Sequence, residues 1–226
     1  MQLRLIYTFL LSLVAINTIY AQNDTKKLNN DSIVSPNKTK HLFVNVDLSS
    51  PVASLFSDKQ SAQAAISYQF NANWNAVLEL GFEKNKFTES HWNVDVDGVF
   101  GKIGVNKYFI KDIAYPLNGF YFGGRLAYAS FNQKINQYPI RDITTNQIVA
   151  YGNGGKAKVD AYWIEIVIGG KVQMYKNLFA DFSLRPSIFL HGKKQDNIET
   201  LVIPGYGRNN GPFNISMFWG LSYKLF

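Results

Sequence analysis

The stretch LFADFSLRPSIFLH, residues 178–191, changes character with a period of two. Ala180, Phe182, Leu184, Ile188 and Leu190 fall on one side, and Asp181, Ser183, Arg185, Ser187 and His191 on the other. Successive side chains of a strand point to opposite faces, so this is a strand with one apolar and one polar face. The same alternation recurs outward. Residues 159–174 set Tyr162, Ile164, Ile166, Ile168, Val172 and Met174 against Glu165, Lys171 and Gln173. Residues 74–84 set Trp74, Ala76, Leu78, Leu80 and Phe82 against Asn75, Glu79 and Glu83, and residues 41–48 set Leu42, Val44, Val46 and Leu48 against Asn45 and Asp47. With 60–70, 96–109, 118–131 and 213–226, the pattern predicts eight strands of about ten residues each.

Residues 1–21, MQLRLIYTFLLSLVAINTIYA, carry one early cation, Arg4, an apolar run from Leu5 to Ile16, and Ala21 before the expected cut. That is the layout of a cleaved signal peptide, too short in its apolar run to span a bilayer as an anchor. Residues 22–40 are polar and predict a flexible periplasmic arm. The 226 residues contain no cysteine, which excludes disulfides and thiolate chemistry, and only three histidines, which argues against a histidine-rich metal site. Aromatic residues make up 15% and charged residues 17% of the chain, which excludes a disordered protein. The net charge of +7 is spread along the sequence, without the basic cluster of a nucleic-acid binder.

The connections alternate in length. Those at 71–73, 110–117 and 175–177 are short, and those at 49–59, 85–95, 132–158 and 192–212 are longer. Tyr68, Phe70, Trp74, Phe109, Phe120, Tyr175 and Tyr223 gather at the short-turn end, and Phe82, Trp92, Tyr128, Tyr162 and Phe213 towards the other. Short turns at one end, long loops at the other and two aromatic girdles are the features of an outer-membrane barrel. A closed barrel satisfies every backbone hydrogen bond in lipid, which an open sheet cannot. The expected architecture of 41–226 is therefore all-β, an eight-stranded antiparallel up-and-down transmembrane β-barrel. A soluble lipocalin-like barrel or sandwich is the competing reading.

The chain ends Phe218-Trp219-Gly220-Leu221-Ser222-Tyr223-Lys224-Leu225-Phe226. Gly220, Tyr223, Leu225 and Phe226 resemble the C-terminal signal that outer-membrane barrels present to the assembly machinery, with Phe226 one residue beyond the usual final position. The barrel region resembles small outer-membrane proteins of the Bacteroidota classed as domains of unknown function, and in architecture the OmpA/OmpX barrels. The resemblance implies a Gram-negative outer membrane, lipid as the surrounding partner, and the barrel assembly machinery as a partner in biogenesis. A monomer without nucleic-acid partners is expected.

If the apolar faces meet lipid, the opposite faces line the lumen. That places Asp47, Glu79, Glu83, Glu165 and Asp181 inside, with Lys102, Arg125, Lys171, Arg185 and Lys224. Eight strands enclose only enough room for their own side chains, and unpaired buried charge is costly. These residues are candidates for ion pairs that plug the lumen. Tyr138, Arg141 and Tyr151 in one long loop, and Tyr206 and Arg208 in another, are candidates for contact with an external partner. His191 and Ser187 share a face but lie about 13–14 Å apart along the strand, too far for a nucleophile and its base. No catalytic residue, cofactor or metal site is expected. The sequence thus predicts a non-enzymatic barrel with a structural or surface-interaction role, with a narrow channel as the alternative and a lipid A-modifying enzyme behind it.

Overall fold

A computed structural model describes residues 40–113, 115–195 and 198–226. The expected signal peptide and all of the expected arm except Lys40 lie outside the described residues. In chain order the elements are β1 (His41–Asp47), α1 (Ser49–Ser54), β2 (Gln60–Asn71), β3 (Trp74–Glu89), β4 (Trp92–Lys111) and β5 (Gly119–Arg141). There follow β6 (Ile148–Gly152), β7 (Gly155–Tyr175), β8 (Leu178–Gly192), β9 (Val202–Ile203), β10 (Gly207–Arg208) and β11 (Phe213–Lys224). Strands β1, β2, β3, β4, β5, β7, β8 and β11 form an antiparallel ring in that order, and β11 pairs back onto β1. The protein is an eight-stranded β-barrel.

The register is staggered. Followed from Tyr223 of β11 through Val44, Ile66, Leu78, Ile103, Leu126, Ile164 and Ile188, it returns to β11 at Phe213, ten residues away. Such a stagger is the geometric counterpart of strongly tilted strands. The seam is finished by backbone bonds from Leu42 to Phe226 (3.2 Å) and from Leu225 to Leu42 (2.8 Å). Tyr223, Leu225 and Phe226 are all exposed there.

Alternation holds around the ring, with the polar faces inward. Val46, Ile66, Leu80, Ile103, Leu126, Ile168, Leu184 and Met217 are exposed on the outer surface. Glu79, Lys102, Arg125, Glu165, Ser183 and Arg185 are buried inside. Gly104 and Gly123 leave space that Arg125 occupies, since a Cβ at either would lie within 3.3 Å of its side chain.

All four long connections differ from expectation, the last of them, 192–212, by turning into the lumen. The 85–95 segment is a continuous hairpin, paired up to Glu89↔Trp92, with Ser90 and His91 at φ 50° and 71°. A two-residue turn with both φ positive normally announces itself by Asn or Gly, and Ser-His does not. Trp92 accordingly leaves the expected girdle and stacks on Tyr138 (6.0 Å between rings) over the interior cluster. The 132–158 segment is also mostly sheet: β5 runs on to Arg141, β6 pairs with its end, and β7 begins at Gly155. Between β1 and β2 lies the short helix α1. The Asp47 carboxylate accepts the amides of Ser49 (2.8 Å) and Ser50 (3.2 Å) and so fixes its start.

At the seam, a Cβ on Gly220 would sit 2.1 Å from the Val46 carbonyl oxygen. Both groups are backbone and cannot yield. Gly220→Ala should lower stability by about 1–3 kcal/mol and reduce the fraction of compact barrel that survives unboiled electrophoresis. Gly124→Ala, whose added methyl meets nothing nearer than the Glu165 carbonyl at 3.8 Å, should leave both readouts unchanged.

Candidate functional site: the plugged lumen and its outer mouth

The charged interior is organised around Glu79 on β3. One carboxylate oxygen accepts from Arg125 Nε on β5 (2.9 Å). The other accepts from Arg185 Nη1 on β8 (2.7 Å) and from Gln63 Nε2 on β2 (2.5 Å). β3 and β8 are opposite one another in the ring, so the Glu79–Arg185 bond crosses the lumen. Arg185 also donates from Nε to Ser183 Oγ (3.0 Å) and lies 4.5 Å over the Phe218 ring. A second pair, Lys102 Nζ to Glu165 Oε1 (2.7 Å), is completed by Trp163 Nε1, which donates to the same oxygen (2.8 Å). Towards the terminal end, Asp181 accepts from Tyr121 Oη (2.6 Å) and lies 3.8 Å from Lys171, whose ammonium sits 4.0 Å over Phe43.

Two of the ten residues expected to pair behave differently. Asp47 is buried but spends its carboxylate on the start of α1. Lys224 is half-buried at the end of β11 and makes no ion pair among the described residues. The strand pattern identified the face of Lys224 but not its depth. The cation that the pattern missed is Lys59, which pairs with Glu83 (3.0 Å). It lies in a connection, where period-two alternation carries no information.

Ion pairs do not fill the lumen alone. The last long connection, expected from the sequence to be a loop open to external contact, instead turns inward at the β9–β10 hairpin. Val202, Ile203 and Tyr206 pack into an apolar cluster with Val96, Phe100, Phe131 and Trp163. Tyr206 is only 3% exposed, against Trp163 (5.8 Å) and Phe189 (5.9 Å), so it is part of the plug and not a surface contact residue. The turn of the hairpin is clamped at Gly205, whose amide donates to Glu83 Oε2 (3.1 Å) and whose carbonyl accepts from Lys102 Nζ (3.1 Å). Gly205 has φ +75°, and a Cβ there would meet the Phe100 ring at 2.6 Å. Only glycine meets both demands.

Of the other loop candidates, Tyr138, Arg141 and Tyr151 share the β5–β6 hairpin, and Arg208 lies on β10. Tyr138 is half-buried on Trp92, Arg141 Nη1 bonds the Asn146 carbonyl (2.9 Å), and Tyr151 leans on His91 (6.3 Å). Arg208 lies 5.0 Å over Phe87 and reaches the Glu89 carboxylate. His191 is exposed on the outside, opposite Tyr162, because a bulge between Tyr162 and Trp163 shifts the register there. Ser187 Oγ instead donates to the Arg185 carbonyl (3.2 Å). Among the described residues no cluster of acids and histidines is arranged to hold a metal. A cavity of about 230 Å³ lies at the mouth away from the chain end, between α1, β2, β11 and the hairpin. A smaller one of about 20 Å³ adjoins Glu79, Asn106 and Arg125.

Glu79→Gln would leave two buried guanidiniums without a counter-ion. It should cost about 3–5 kcal/mol of unfolding free energy, measured by urea titration of the refolded barrel. Lys59→Met removes the half-exposed partner of the buried Glu83 carboxylate and should cost less, about 1–3 kcal/mol. The hairpin offers a second comparison. Arg208 holds the exposed Glu89 carboxyl below its usual range. That contact is complete at neutral pH and is lost as the pH falls through the lowered value. Seating of the hairpin rests on burial instead, so Glu89→Gln should leave it resistant to proteolysis, whereas Ile203→Asp should expose it to cleavage within 198–212.

No curated protein matches the chain. Among solved structures, the N-terminal β-barrel domain of Pseudomonas aeruginosa OprF is similar at 12% identity, covering 83% of this chain and 98% of that one, with a TM-score of 0.33. The architecture stands on the strand register given above. A family profile described as a domain of unknown function, DUF6048, matches residues 2–225, almost the whole sequence, and the chain belongs to that family.

Proposed function

We propose that the protein is an integral outer-membrane barrel with a closed lumen, serving a non-enzymatic structural or surface-contact role. The observation that carries this reading is the inverted distribution of polarity. A soluble barrel hides its apolar faces, whereas here Leu80, Ile103, Leu126, Ile168 and Leu184 lie outside and Glu79, Arg125 and Arg185 lie inside. An apolar surface of that extent is stable against lipid and aggregates in water. Exposed aromatics border it: Phe70, Phe109, Phe120, Tyr175 and Tyr223 at the terminal end, and Phe82, Tyr128, Tyr162 and Phe213 at the other. Closure of the ring leaves no unpaired strand edge within that band.

The bond across the lumen and the seated hairpin favour a plug over a channel. The contact role is supported by the β5–β6 hairpin, which rises beyond the ring and exposes Ile140, Ile143, Val149 and Tyr151. Expressed in a Gram-negative host, the protein should fractionate with the outer membrane and change gel mobility on boiling. Reconstituted in planar bilayers, it should give no resolvable single-channel steps. A periplasmic protein without a mobility shift would overturn the membrane reading, and regular conductance steps would overturn the plug.

A further inference from the structure

We propose that the cavity of about 230 Å³ at the mouth away from the chain end is a binding site for a small, neutral, hydroxyl-rich solute of the size of one sugar ring. The inference stands apart from the membrane reading, because it uses only the inside of the barrel.

The size comes first. At roughly 30 Å³ of liquid volume per water, the space holds about seven or eight waters, close to one pyranose ring with its hydroxyls. That is small for an extended ligand but suits a single ring.

The charges come next. Each charged group in the wall is already matched. Lys59 pairs with Glu83, Lys102 with Glu165, Arg185 with Glu79, and Asp47 binds the amides at the start of α1. A ligand with net charge would have to displace one of these partners, of which the Lys102–Glu165 and Arg185–Glu79 contacts are fully buried. An apolar ligand would strip water from the wall hydroxyls and amides and return no hydrogen bond. What remains is an uncharged molecule rich in donors and acceptors.

The wall has the two surfaces that such a molecule needs. Ser61 and Ser216 bring hydroxyls from β2 and β11, Gln63 brings its amide oxygen, its nitrogen being held by Glu79, and the largely buried Phe100 and Phe218 rings border the space for the C–H side of a sugar. Ser61 marks the site most directly. It is 8% exposed, it lines the cavity, and its Oγ has no protein partner. A buried hydroxyl left without a partner costs about 1–3 kcal/mol, so it needs either water or a ligand hydroxyl.

The site is also preformed. Lys102 and Glu83 hold Gly205 on one side, and Asp47 fixes α1 on the other. Little ordering is then left for a ligand to bring about. Access is from the rim beside Lys59, whose side chain is 34% exposed.

The test uses the mature chain refolded in an amine-oxide detergent, because glucoside and maltoside detergents would compete. Saturation-transfer NMR is run with methyl α-glucopyranoside, methyl α-galactopyranoside, N-acetylglucosamine and myo-inositol. Sodium glucuronate and inorganic phosphate are the charged controls. At least one neutral probe should bind with a dissociation constant in the millimolar range, and Ser61→Leu should weaken it about tenfold or more with the far-UV circular dichroism spectrum unchanged. Ser216→Leu, on the β11 wall, gives the same comparison if Ser61→Leu fails to fold. Three results would overturn the proposal: no transfer from any neutral probe at about 20 mM, a cavity that holds water only; binding unchanged in the folded variant; or tighter binding of either charged control.

Discussion

An eight-stranded ring leaves an interior scarcely wider than the side chains that fill it, so a charge that turns inward must find its partner within the lumen. Glu79 is where this constraint is met. It receives Arg125 from two strands away and Arg185 from the opposite wall. These bonds tie strands that share no backbone pairing. They act where the sheet ladder cannot, across the hollow of the barrel. The cost of desolvating three charged groups is offset by close geometry and by the further donors around them. Gln63 completes the Glu79 carboxylate, and Phe218 covers the face of the Arg185 guanidinium.

Above this charged layer the interior changes character. The outer parts of β4, β5 and β7 turn Val96, Phe131 and Trp163 inward, and these could not be left open to solvent. The β9–β10 hairpin closes over them with Val202, Ile203 and Tyr206. Lys102 couples the two layers, since its ammonium bonds both Glu165 below and the Gly205 carbonyl in the hairpin. The plug is thus a small globular core inside a barrel whose outer surface is apolar as well.

The faces of the strands were legible because period two is a strong signal when one side is apolar and the other charged. Glu79, Lys102, Arg125, Glu165, Lys171, Asp181 and Arg185 are all buried inside, on the faces to which alternation assigns them. What alternation could not supply was anything that depends on the ends of strands or the loops between them. The Ser90-His91 turn lacks the residues that usually mark a two-residue hairpin, so two strands looked shorter than they are. The apolar triplet Leu201-Val202-Ile203 is the sign in the sequence that the last long loop turns inward, but it is too short for period-two alternation to register. His191 was misplaced by a single bulge, which is enough to move a side chain from one face to the other.

These particulars explain why the cavity lies where it does. The pairing of β3 with β4 continues to Glu89↔Trp92, and that of β4 with β5 to Asn93↔Gln137. By contrast β1 stops at Asp47, β2 starts at Gln60 and β11 starts at Phe213. The barrel therefore has one extended wall and one low rim. The hairpin packs against the extended wall, because that is where the inward apolar residues are. It leaves the side beneath α1 unfilled, where β2 and β11 present the Ser61 and Ser216 hydroxyls, which gain nothing from an apolar plug. A water-accessible cavity on that side follows from the division of polarity between the two walls, with Lys59 and Glu83 paired at its edge.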